Sequence, residues 1–76
     1  MQEIGGTHAH DRYEAEVQHL VRTLRSYGVL TTERLCEASG ARNWHGGTFE
    51  GALSAAVRSG RIRRLGDDLY ELPDEG

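Results

Sequence analysis

Apolar residues recur at helical spacing from Tyr13 onward. Tyr13, Val17, Leu20, Val21, Leu24 and Tyr27 lie at offsets of 4, 7, 8, 11 and 14, and trace one stripe of a helix. Arg12, Glu16, Gln18, Arg22 and Arg25 fall off that stripe, as a solvated face requires. Asp11 and Glu14 have the D-x-x-E spacing of a capping box, and Gly28 stands where a left-handed residue ends a helix. The pattern predicts a first helix over about 12–27. Val29 and Leu30, two apolar residues between a helix end and the next cap, predict a short strand or extended link. Thr31 or Thr32 then caps a second helix over about 32–39, with Glu33 in its first turn, where the helix dipole favours an anion. Leu35, Cys36 and Ala38 supply its inward face and Gly40 ends it.

Residues 41–47, ARNWHGG, are rich in turn formers and predict a loop. Thr48 reads as the N-cap of a third helix over about 49–59. Its apolar stripe is Phe49, Ala52, Leu53, Ala56 and Val57, and Gly60 closes it. Glu50, Gly51, Ser54, Ala55, Arg58 and Ser59 are left facing outward. The remaining RIRRLGDDLYEL holds two short apolar-polar runs around Gly66 and Asp67, which predicts a hairpin with strands near 61–65 and 68–72. Tyr70 and Leu72 share one face with Ile62 as the cross-strand apolar partner, and Leu65 and Leu69 do not alternate cleanly enough to fix the register. Pro73 and the acidic residues after it stop the last strand.

The order helix, link, short helix, loop, helix, hairpin resembles the winged helix-turn-helix superfamily over about residues 12–72. GVLTTERLCEASGA supplies the second helix, and TFEGALSAAVRSGRIRRLGDDLYEL the third helix and a wing. The most specific portion is the A-L-x-x-A-V-x-x-G-x-I run from Ala52 to Ile62, followed by Leu69, Tyr70, Glu71 and Leu72. The resemblance implies a mainly α fold with a small β part (α+β): three helices and a C-terminal β-hairpin wing in one domain over 11–73. Residues 1–10 then form a flexible leader and 74–76 an acidic tail end. It also implies a small DNA-binding protein, a transcriptional regulator or DNA-associated factor, that contacts duplex DNA through the third helix and the arginines after it.

Composition narrows the classes. The chain has 76 residues, 37% of them hydrophobic, with a single cysteine, Cys36, so one small core is expected and an internal disulfide is excluded. No apolar run approaches the roughly 20 residues a bilayer span needs. MQEIGGTHAH shows neither a basic n-region nor an apolar h-region, so no secretory signal is expected and the cytoplasm is the default compartment. All nine basic residues are Arg, a bias that points to a GC-rich, bacterial-type coding genome. His8 and His10 lack zinc-ligand spacing with Cys36 or His19, and no nucleophile, phosphate-loop or paired-carboxylate pattern is present. No metal, cofactor or enzymatic activity is expected, and Cys36 reads as a small core residue.

The formal net charge of -3 is unevenly spread. Residues 41–66 carry Arg42, Arg58, Arg61, Arg63 and Arg64 against Glu50 alone, whereas 67–76 carry five acids and no base. The candidate nucleic-acid-binding residues are therefore Arg42, Asn43, Thr48, Ser54, Arg58, Arg61, Arg63 and Arg64. Contacts from three or four arginines would give log K against log salt a slope of about -3 to -4. Strand alternation opposes a single patch, because it sends Arg61 and Arg63 to one side and Arg64 to the other. Asp67 and Asp68 at the wing tip would be repelled by phosphates. Trp44 either covers one end of the core or serves as an exposed anchor for a protein partner. A second reading is accordingly an interaction module that docks on protein without nucleic acid. The first helix carries no second apolar stripe, which favours a monomer.

Overall fold

A computed structural model describes residues 13–73, in which three helices and three short strands form a mainly helical α+β domain. Helix α1 (Glu14–Tyr27) buries Val17, Leu20 and Leu24 from the expected stripe, together with Thr23. Thr23 is satisfied within its own helix, because its Oγ1 donates to the His19 carbonyl at 2.9 Å. The last member of the stripe, Tyr27, is 62% exposed, so the core stops a turn earlier than the periodicity implies. The helix begins at Glu14, after Tyr13, which makes no side-chain cap bond. Gly28 does end α1, at φ 94°, but its ψ of -94° lies outside the left-handed helical region expected there. The leader, Asp11 of the capping box and the acidic tail end lie outside the described residues.

Strand β1 (Leu30–Thr31) runs directly into α2 (Thr32–Ser39). Of the two candidate caps it is Thr31 that serves, its Oγ1 accepting the Arg34 N–H at 3.1 Å. The inward face of α2 is Leu35 and Ser39, with Cys36 half-buried; Ala38 is exposed. Position 39 lies one turn beyond 35 and position 38 does not follow that line as closely, which is why the small polar residue is inside. Ser39 is accommodated by donating to the Cys36 carbonyl at 3.3 Å. Its own carbonyl meets Nε2 of His19 at 2.8 Å, which ties α2 to α1.

The predicted loop contains a 3-10 turn at Ala41–Asn43, and the Trp44 N–H donates to the Ala41 carbonyl at 2.9 Å. Helix α3 (Thr48–Arg58) has Gly47, not Thr48, at its N-cap. Thr48 is the first helical residue, and its N–H is already satisfied by the His45 carbonyl at 3.0 Å, so the preceding turn replaces a side-chain cap. At the other end Gly60, at φ 84°, closes a Schellman motif: Arg61 N–H donates to Ala56 O at 2.9 Å and Gly60 N–H to Val57 O at 3.1 Å. The motif delivers Ile62 into the core, where it is 1% exposed.

Strands β2 (Arg63–Leu65) and β3 (Leu69–Glu71) complete an antiparallel sheet in the order β1-β3-β2. Tyr70 pairs with Leu30 on one side and Arg64 on the other, and Ile62 stands just before the paired residues of β2. A three-residue turn, Gly66 to Asp68, joins the strands in place of the tight Gly66–Asp67 turn expected, and the pairing sets the register the sequence left open.

Leu20, Leu24, Leu35 and Ile62 are the largest fully buried side chains of one core, on which α1 packs against both α2 and α3. At Gly51 of α3 the Tyr13 ring just before α1 lies close, so that an added Cβ would come within 2.6 Å of Tyr13 Cζ and nearer still to its Oη. Glycine inside a helix costs about 0.5–1 kcal/mol relative to alanine, so its presence here reflects that crowding. Gly51→Ala is expected to destabilise the protein by about 1 kcal/mol, yet to stabilise it by about 0.5–1 kcal/mol in a Tyr13→Ala background. Urea denaturation of the four proteins of this cycle measures the sign change.

Candidate functional site

Helix α3 and the sheet enclose a groove of about 470 Å³. Its α3 wall is Glu50, Leu53, Ser54, Val57 and Arg58, and Arg64 and Tyr70 face them from the sheet. The open side of α3 is thus narrower than expected: Gly51 and Ala55 are half-buried, Gly51 against Tyr13 and Ala55 against the core. Glu50, Ser54 and Arg58 remain exposed. Among the expected site residues, this groove brings together Ser54, Arg58 and Arg64.

The four arginines from 58 to 64 do not form one patch. Arg61 is clamped by Glu14 at the start of α1, with Nη1 and Nη2 donating to the two carboxylate oxygens at 3.2 and 3.0 Å. Arg63 is bound by Glu71, its partner across the β2–β3 ladder, through Nε at 3.0 Å and through Nη2. Arg64 takes a different kind of partner. Its Nε donates to the Gly66 carbonyl at 3.0 Å and its Nη2 to the Asp67 carbonyl at 3.1 Å, so the guanidinium is held beside the turn by neutral acceptors. Arg58 has no hydrogen bond or ion pair among the described residues, and the same holds for Arg42. Of the +4 expected over 41–66, two charges are balanced by carboxylates from outside that segment.

The remaining expected residues lie apart. Arg42 and Asn43 are exposed on the 3-10 turn. Thr48 borders a separate shallow hollow with Tyr13, Glu16 and the Gly46–Gly47 pair. Trp44 is half-buried, packs on the core and stands edge-on to the His19 ring, with centroids 6.1 Å apart at 64°. That geometry fits the core-covering reading of Trp44, and it does not line the α3 groove.

One contact near the wing tip escaped the sequence reading. Asp68 points back at the body of the protein: its Oδ1 accepts the Thr32 N–H at 3.2 Å, and its carbonyl accepts the same N–H at 3.3 Å. The two tip carboxylates therefore do not act alike, because Asp68 is engaged at the start of α2. The residues are 36 apart in the chain, and only the short D-D doublet after glycine marks the position.

Among the described residues no group of three or more His, Cys, Asp or Glu gathers in a metal-binding arrangement, and no helix is long and apolar enough to cross a membrane. Comparison with protein-family models, with curated proteins and with solved structures finds no match to this chain.

A side-chain hydrogen bond contributes about 0.5–1.5 kcal/mol. Asp68→Ala, which keeps the main-chain carbonyl that also accepts the Thr32 N–H, is expected to lower stability by about 0.5–1 kcal/mol, and Asp67→Ala by less than about 0.5 kcal/mol. Chemical denaturation of the two variants side by side separates a hydrogen-bonded carboxylate from a merely exposed one.

Proposed function

We propose that residues 13–73 are a winged helix-turn-helix domain that holds duplex DNA against the open face of α3, as a transcriptional regulator or DNA-associated factor. In this reading α2, the 3-10 turn and α3 are the helix-turn-helix, and β2 with β3 is the wing. The observation that carries it is that Arg58 of α3 and Arg64 of β2 line one groove, and neither has a carboxylate partner among the described residues. Ser54 between Glu50 and Arg58 keeps the surface low, which permits close approach to a backbone or a groove edge.

The same geometry limits the footprint. With Arg61 and Arg63 committed to Glu14 and Glu71, the phosphate-binding set is Arg58 and Arg64, with Arg42 as an outlying third. Glu50 repels phosphate at the N-terminal end of the groove, so DNA is favoured towards the C-terminal end of α3. The open face of α3 carries no Asn or Gln to read adenine, and base selectivity is correspondingly weak.

A second reading, a protein-docking module with no nucleic acid, is supported by the net charge of -3 and by the apolar wall that Leu53 and Val57 give the groove. Titration of a labelled duplex across a salt series tests both. Two or three phosphate contacts give a slope of about -2 to -3 in log K against log salt. Arg58→Ala and Arg64→Ala are each expected to reduce its magnitude by about 0.9, and Arg63→Ala to leave it unchanged. Affinity indifferent to salt and to both substitutions overturns the DNA reading in favour of the docking one.

A further inference from the structure

A second groove, also of about 470 Å³, runs between α1 and the segment linking α3 to the sheet, and it shares no lining residue with the first. Arg22 and Arg25 border it from α1, and Arg61, already paired with Glu14, borders it from the link. Arg22 and Arg25 are three residues apart, which places them on the same helical face, and neither has a hydrogen bond or ion pair among the described residues. Between the cations lie Val21, Leu72 and Pro73, all half-buried, of which Val21 and Leu72 pack directly on the core.

We propose that this groove docks an acidic segment of a partner protein, an extended stretch of carboxylates with an apolar anchor. Paired N–H donors of arginine match a carboxylate's two oxygens, a geometry this chain already uses between Arg61 and Glu14. From Gln18 to Arg25 the helix rises about 10 Å, which accommodates about three residues of extended chain at about 3.3 Å each. An aliphatic side chain on that segment removes Val21, Leu72 and Pro73 from water, whereas the phosphate groups that arginines would bind on a nucleic acid leave such a floor hydrated. Charge and apolar floor together therefore favour an acidic peptide over nucleic acid. The assignment does not depend on what α3 binds.

Fluorescence anisotropy with a labelled peptide of alternating glutamate and leucine tests it on the full chain. Two control peptides carry glutamine for glutamate and alanine for leucine. The acidic, leucine-bearing peptide is expected to bind, and each control to bind at least about tenfold more weakly. Arg22→Gln combined with Arg25→Gln, both at exposed helical positions, is expected to weaken the parent peptide by about tenfold, while Arg58→Ala combined with Arg64→Ala leaves it unchanged. Equal binding of the glutamine peptide, or indifference to the Arg22 and Arg25 changes in a variant that keeps its helical circular dichroism, overturns the proposal. So does a duplex that displaces the peptide and itself loses affinity in the Arg22 and Arg25 variant, since the groove is then a nucleic-acid contact.

Discussion

Strand β3 is paired on both sides, to β1 and to β2, and this double pairing decides where each side chain of the hairpin points. Residues directly opposite each other in a sheet share a face. Leu30, Tyr70 and Arg64 therefore share one face, and because Tyr70 is buried, that face is the one turned to the body of the protein. Thr31, Leu69 and Leu65 share the other, as do Arg63 and Glu71. The pleat leaves Arg64 along the α3 groove and turns Arg63 outward, where Glu71 waits one strand away. Alternation along the strand separates these two arginines, as the sequence implies. Which of them faces the body follows from pairing with β3, whose buried Tyr70 stands opposite Arg64.

Placement also changes the meaning of the charge count. Exposed ion pairs such as Arg61–Glu14 and Arg63–Glu71 contribute about 0–1 kcal/mol each, so they are minor sources of stability. Their larger effect is on the surface potential, since they withdraw two cations from the segment that looked most basic. Meanwhile Arg22 and Arg25, in a stretch whose acids outnumber its bases, border one groove without a carboxylate partner among the described residues. Segment charge is a linear quantity, and a surface is not.

The helices were legible because their signals are local. The stripe from Val17 to Leu24, the Thr31 cap, and the glycines at 40 and 60 each act within a turn or two of themselves, and each stands where the periodicity put it. The misplaced features depend on partners elsewhere. Thr48 lost the capping role because Gly47 and the His45 carbonyl already complete the turn. Ser39 could be buried because His19 of another helix meets its carbonyl. Gly51 looked outward until Tyr13 was found against it. The candidate site was less legible than the fold for the same reason: residue types marked the arginines, but only the tertiary arrangement sorts those bonded to carboxylates from those that are not.

The contact between His19 and Ser39 has one further consequence. A carbonyl oxygen only accepts, so the ring nitrogen facing it carries a hydrogen whether the imidazole is neutral or cationic. The stitch between the first two helices thus fixes the orientation of the ring, and with it the edge that the indole of Trp44 meets.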